Sequence, residues 1–151
     1  MSASGTFPLP YAPTSVGVAR RMLGTDLRAH GVRETAVADA TLVLSELMSN
    51  AIRHARPLPG AQVRVGWKLT GRSLEIEVTD GGGPTQPYPV RTPPSAVGGR
   101  GLSIVGQLSR RWGVRSGEEG TTVWAVLSAG PNSSMPRRAR RAPAGARQSV
   151  S

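Results

Sequence analysis

Glu46, Asn50 and His54 stand four residues apart. In a helix that spacing stacks a carboxylate, a carboxamide and an imidazole on one face, about a turn between each. Beside them Val37, Ala40, Leu44, Leu47 and Ala51 recur at three- and four-residue steps and form an apolar stripe. A polar column next to such a stripe is an unusual solvated surface; the plain alternative is a helix with an incidental polar edge. Three further stretches bear on the choice. Asp80 is followed by Gly81, Gly82 and Gly83, which let another group approach the backbone closely. Gly98-Gly99-Arg100-Gly101-Leu102 precedes an apolar helical stretch, whose free N–H groups and dipole would favour an anion. Gly120-Thr121-Thr122 brings hydroxyls to the start of an alternating run. Together these are the parts needed to hold a nucleoside triphosphate with a metal ion.

The elements that must position these groups follow from periodicity. Residues 1–13 carry Pro8, Pro10 and Pro13 and read as an extended arm, with a first strand around Thr6 to Leu9. Thr14 or Ser15 is the expected cap of a helix reaching about His30, where Gly31 stops it. A second helix runs from about Glu34 to Ala55 and ends before Pro57 and Pro59-Gly60. The period then changes to two: Val63, Val65, Trp67 and Leu69, a turn at Thr70-Gly71-Arg72, then Leu74, Ile76 and Val78. That is an antiparallel hairpin with one face buried. Residues 81–100 are rich in Gly and Pro, a loop length that is usually functional or disordered. A helix is expected from about Leu102 to Arg111, then strands near Val114 to Ser116 and Thr121 to Leu127 about a turn at Gly117 to Gly120. Helices gathered on one face of a mostly antiparallel sheet make a two-layer α+β sandwich. Trp67, Trp112 and Trp124 read as core or strand-packing residues, and His30 as a solvated helix end.

Four segments in order then resemble the Bergerat-fold ATPases shared by gyrase, Hsp90, histidine kinases and MutL, and look closest to the small anti-sigma-factor serine/threonine kinases. Glu46-Leu47-Met48-Ser49-Asn50-Ala51-Ile52-Arg53-His54 matches the family's N box, and Val78-Thr79-Asp80-Gly81-Gly82-Gly83 its first glycine box. Gly99-Arg100-Gly101-Leu102 matches the second, and Gly120-Thr121-Thr122-Val123-Trp124 the closing strand. The resemblance covers residues 14–128, with residues 1–13 an arm and 129–151 a disordered basic tail. It implies ATP and Mg²⁺ as cofactors. Asn50 would place its carbonyl oxygen on Mg²⁺, and Glu46 would be the general base for an incoming serine or water. Asp80 would accept from the adenine amine, and Gly82 would let the purine lie against the backbone. Gly99, Gly101 and the N–H groups up to Leu102 would cradle the phosphates, with Arg100 either assisting or facing solvent. Thr121 or Thr122 would add a hydroxyl near the base or α-phosphate. His54 and Arg53 stay open between a local helix-end role and a contact near the phosphates. One departure stands out: Pro84 occupies the last position of the first glycine box, usually a glycine. It alters the start of the short, proline-rich lid at about 84–97, and weak turnover is the expectation.

The implied function is transfer of the ATP γ-phosphate to a serine of a STAS-type anti-sigma antagonist, coupled to sequestration of a sigma factor. The resemblance also implies a homodimer. The alternative is an ATP-sensing binding protein with little or no kinase activity, which would not need Glu46. Composition narrows the rest. The chain of 151 residues has no cysteine, excluding disulfides and thiolate metal sites. No run approaches the roughly 18 apolar residues of a membrane span, and residues 1–13 have no signal-peptide pattern, so a soluble, cytoplasmic protein is expected. The net charge is +10, but the tail from 131 onward holds five arginines and no acid. Half the charge therefore sits in a segment that cannot bury apolar area. Such a tail contacts nucleic acid only non-specifically, through phosphates, and it has no aromatics for base stacking.

Overall fold

In the computed structural model, residues 4–83 and 99–129 are described, those of 99–101 without their side chains. Strands β1 (Ser4–Pro10), β2 (Gln62–Thr70), β3 (Ser73–Asp80), β4 (Arg111–Ser116) and β5 (Thr121–Ser128) form one sheet in the order β1-β2-β3-β5-β4. Every pairing is antiparallel. Helices α1 (Thr14–Ala29), α2 (Glu34–His54) and α3 (Gly99–Leu108) complete the order β1-α1-α2-β2-β3-α3-β4-β5. The fold is the two-layer α+β sandwich expected from the periodicity.

Alternation dictates which face of the sheet is dry. Val63, Val65, Trp67 and Leu69 of β2, Leu74, Ile76 and Val78 of β3, and Val123, Ala125 and Leu127 of β5 are all buried in one cluster. Val37, Ala40, Leu44, Leu47 and Ala51 of α2 meet them from the helical layer. The α2 helix packs on α1, α3, β3 and β5 and is the centre of that layer. Trp67 ties α1 to the sheet: its indole N–H donates to Asp26 Oδ2 at 2.8 Å, and its ring lies 5.2 Å from that of Phe7. Trp67 and the half-buried Trp112 belong to this core. Trp124 is half-buried on the other face, over Gly113.

Several boundaries differ from the expectations. Neither Thr14 nor Ser15 caps α1 with its side chain; Pro13 is the N-cap residue, and Ser15 Oγ donates backwards to the Pro10 carbonyl at 2.6 Å. The third helix starts at Gly99 and ends at Leu108, so Arg111 and Trp112 already belong to β4. Ala129, assigned from sequence to the tail, is buried, and its N–H donates to the Arg72 carbonyl at 2.7 Å. The expected lid (84–97) and the arginine-rich segment from 131 lie outside the described residues. No helix among the described residues is long and apolar enough to cross a membrane.

Candidate functional site

Asp80 is the last residue of β3, and strand alternation turns it to the same side as Leu74, Ile76 and Val78. Its side chain is therefore carried towards α2, and it is only 1% exposed. Oδ1 accepts the Gly82 N–H at 2.7 Å, whereas Oδ2 is fully buried with no hydrogen-bond partner among the described residues. A dry carboxylate oxygen without a donor is energetically costly. Burial accordingly pushes the carboxyl from its ordinary value of 3.8 up to about 6, with the Gly82 N–H pulling the other way. The site asks for a donor.

The surroundings of Asp80 are built mostly from backbone. Gly81 N–H donates to the Arg56 carbonyl at 2.7 Å, and Arg56 N–H to the Gly82 carbonyl at 3.0 Å. The turn after β3 is thus clamped to the segment following α2. A β-carbon on Gly81 would collide with the Pro57 carbonyl oxygen, so this glycine makes room for the chain's own backbone rather than for a ligand. Gly82 is different. A β-carbon there would meet only Thr121 Oγ1, at 3.5 Å, within 4 Å among the described residues. Among the described residues the face of Gly82 is therefore left uncrowded close to the orphaned Oδ2.

The two threonines separate cleanly. Asp80 pairs with Thr121 across the β3–β5 ladder, and Thr121 is buried on the same side. Thr79 pairs with Thr122, their hydroxyls 2.7 Å apart on the opposite face of the sheet. The structure brings Thr121 to Asp80 and does not bring Thr122. The parity shared by Thr121, Val123, Ala125 and Leu127 already carried that signal.

The α2 column grades from inside to outside: Asn50 is buried, Glu46 half-buried, and His54 and Arg53 exposed. Asn50 lies on the helix that packs against both β3 and β5, the strands carrying Asp80 and Thr121. Glu46 has no hydrogen bond or ion pair among the described residues, leaving its carboxylate available. Gly99, Arg100 and Gly101 form the first turn of α3, which Leu102 and Val105 anchor in the core and which packs on α2. Where the Arg100 side chain points lies outside the described residues. No cluster of three His, Asp or Glu among the described residues is arranged to hold a metal by itself. A hard cation at Asn50 would complete its oxygen ligands with phosphate and water.

Sequence reasoning missed Tyr11. Its hydroxyl lies against the carbonyls that end α2, 2.9 Å from that of Ile52, 3.4 Å from that of Ala51, and close against that of Ala55. Burial, and then the nearby Asp80, push the phenol above its ordinary value of 10, so the hydroxyl keeps its proton. No local pattern could reveal a contact between residues more than forty positions apart. A second feature lies away from this site: a shallow groove of about 330 Å³ lined by Gly17, Arg20, Arg21, Gly24, Arg28 and Thr41. It shares no residue with the site at Asp80.

The sequence profile of the histidine kinase-like ATPase domain matches residues 9–127. No curated protein matches the chain. Among solved structures it is similar to the RsbU and RsbW domains of Rv1364c from Mycobacterium tuberculosis, with a TM-score of 0.64 and 20% identity. The likeness covers 83% of this chain and 32% of that one, so this chain spans about a third of the solved chain's length. At that identity the likeness speaks to the fold alone.

Proposed function

The chain belongs to the histidine kinase-like ATPase domain family, and on that premise we propose that it binds ATP with Asp80 as its adenine anchor and acts as an anti-sigma-type protein serine/threonine kinase. The observation that carries the ATP part is the buried Asp80 carboxylate, one oxygen satisfied by Gly82 and the other awaiting a donor beside an open glycine surface. The adenine exocyclic amine would supply that donor. Guanine offers a carbonyl at the same ring position, which an acceptor-only carboxylate repels. Asn50 would hold Mg²⁺ through its carbonyl oxygen, and the cation would neutralise charge on the β- and γ-phosphates. The N–H groups opening α3 would meet the phosphates themselves.

Transfer then needs one proton moved. The Oγ of an incoming serine attacks the γ-phosphorus while Glu46 takes its proton; the bond from that phosphorus to the bridging oxygen breaks, and ADP leaves. The serine would belong to a STAS-type antagonist, and a sigma factor would be the alternative partner. This partner-switching part rests on the family resemblance and on the RsbW domain named in the structural neighbour. Arg20 and Arg21, unpaired among the described residues, line the groove beside α1 and offer a positive surface for an acidic protein partner.

Glu46→Ala is expected to lower ADP formation from ATP by at least about a hundredfold, the usual scale of general-base catalysis, while leaving ATP affinity within about twofold because Glu46 is assigned no ligand contact. Turnover and calorimetric affinity measured on one preparation check this. Unchanged turnover would remove Glu46 from the role of base. A wild type that binds ATP without turnover would support the second reading, an ATP-sensing binding protein, which the proline at position 84 favours.

A further inference from the structure

We propose that Tyr11 is a positioning residue for adenine recognition: a strap from the N-terminal segment that locks the end of α2 and, through it, the backbone holding Asp80. The inference rests on the nucleotide reading above and adds to it a residue that none of the four motif segments contains.

The connection can be followed bond by bond. The last carbonyls of a helix have no partner within the helix. Here the Tyr11 hydroxyl reaches those of Ile52 and Ala55 and lies 3.4 Å from that of Ala51. The helix stops at once beyond this point: Ala55 has extended backbone, and its N–H closes the final bond to Ala51 at 2.9 Å. The very next residue, Arg56, exchanges backbone hydrogen bonds with Gly81 and Gly82. Gly82 in turn donates to Asp80 Oδ1. Four short steps therefore run from the phenol to the carboxylate, the middle two wholly through backbone with little freedom to adjust.

A second tie from the same residue strengthens the strap. Tyr11 N–H donates to the Ala61 carbonyl at 2.9 Å. Ala61 is the one non-glycine residue among those described with positive φ, +58°, a conformation that persists only where its surroundings enforce it. Its neighbour Gln62 closes a two-bond bridge with Leu58, at 2.7 and 3.3 Å, on the far side of the Arg56–Pro57 segment. Tyr11 thus grips both ends of the loop that clamps Gly81 and Gly82, one end by its hydroxyl and the other by its amide. Of the loop's own side chains Leu58 is buried, but Arg56 and Pro57, the residues against Gly81 and Gly82, are exposed. A carboxylate that must present one dry oxygen to one amine depends on its backbone being fixed to a few tenths of an ångström.

The test compares wild type, Tyr11→Phe and Ser15→Ala by calorimetric titration with ATP and with GTP. Phenylalanine keeps the half-buried ring and removes only the hydroxyl. Ser15→Ala removes a different hydrogen bond of the same segment, that to the Pro10 carbonyl, and controls for general loosening. Tyr11→Phe is expected to weaken ATP binding about three- to tenfold, the scale of one lost hydrogen bond, and to leave GTP affinity unchanged, so adenine selectivity shrinks. Ser15→Ala is expected to change neither. Wild-type ATP affinity in Tyr11→Phe, or parallel losses for ATP and GTP, would overturn the strap. A wild type that fails to bind ATP would overturn the nucleotide reading itself and this inference with it. Should Tyr11→Phe not fold, amide exchange in the wild type decides: ATP, and not GTP, is expected to slow the Ala55 and Gly81 amides together. Protection of Gly81 without Ala55 would overturn it.

Discussion

Asp80→Asn is expected to stabilise the protein at pH 7 by about 1–2 kcal/mol and to weaken ATP binding roughly a hundredfold, the loss of a hydrogen bond to a charged acceptor. The two effects have one cause. The folded protein raises the Asp80 carboxyl from 3.8 to about 6 because burial penalises its charge. A raised folded value means that the native state holds the proton more tightly than the unfolded chain does. The associated stability is fully present below about pH 4 and is lost as pH rises through 6, roughly 3 kcal/mol in all. Asparagine removes the buried charge but leaves one amide donor unsatisfied, so it recovers only part of that. The stability gain should therefore disappear at pH 4, where Asp80 is protonated, and urea titrations at pH 4 and 7 measure it. Nucleotide binding runs the other way. The ionised carboxylate is the acceptor, so wild-type ATP affinity should fall as pH drops below 6, approaching tenfold per unit. An Asp80→Asn variant less stable than wild type at pH 7, or binding ATP equally well, would mean that this carboxylate is not the dry, ligand-seeking group described.

Gly120→Ala should cost about 3 kcal/mol or more, the range of a strained backbone combined with a backbone collision. Gly120 has φ of +151°, and a β-carbon on it would strike the Asp80 carbonyl oxygen and lie 3.2 Å from Gly81 Cα. No rotamer relieves this, because both obstacles are main chain. The turn from Gly117 to Gly120, closed by mutual backbone bonds of 2.8 and 3.3 Å, would have to move away from the end of β3. Thr121, which follows directly, would move with it. Thermal melting should show the loss, and ATP affinity should fall even at temperatures where the variant is fully folded. A variant as stable as wild type would show that the close approach of these two strand ends is not required.

The layer order of this fold was legible because its strands alternate and α2 keeps one apolar stripe from Val37 to Ala51. Asp80, Gly82 and Asn50 stand out in the sequence as types at fitting intervals, and the structure adds the burial of Asp80 and an oxygen with no partner among the described residues. Between Thr121 and Thr122 the motif alone does not choose; a period of two sends adjacent residues to opposite faces, and only Thr121 shares the face of Asp80. The start of α3 was set late because glycine has low helix propensity, and tertiary packing of Leu102 and Val105 overrides it. The glycines after Asp80 let another group approach the backbone closely, and at Gly81 that group is the chain's own Pro57 carbonyl. Tyr11 and the Asp26–Trp67 bond were invisible, since both join residues about forty positions apart that no local periodicity relates.

The most direct measurement is a calorimetric titration of the wild-type protein with ATP, with and without Mg²⁺, beside Asn50→Ala. Binding that Mg²⁺ strengthens, and from which Asn50→Ala removes mainly the metal-dependent part, is the expected result. Absence of binding at millimolar ATP, with or without the metal, would contradict the nucleotide site at Asp80 and leave the fold as a scaffold for protein partners.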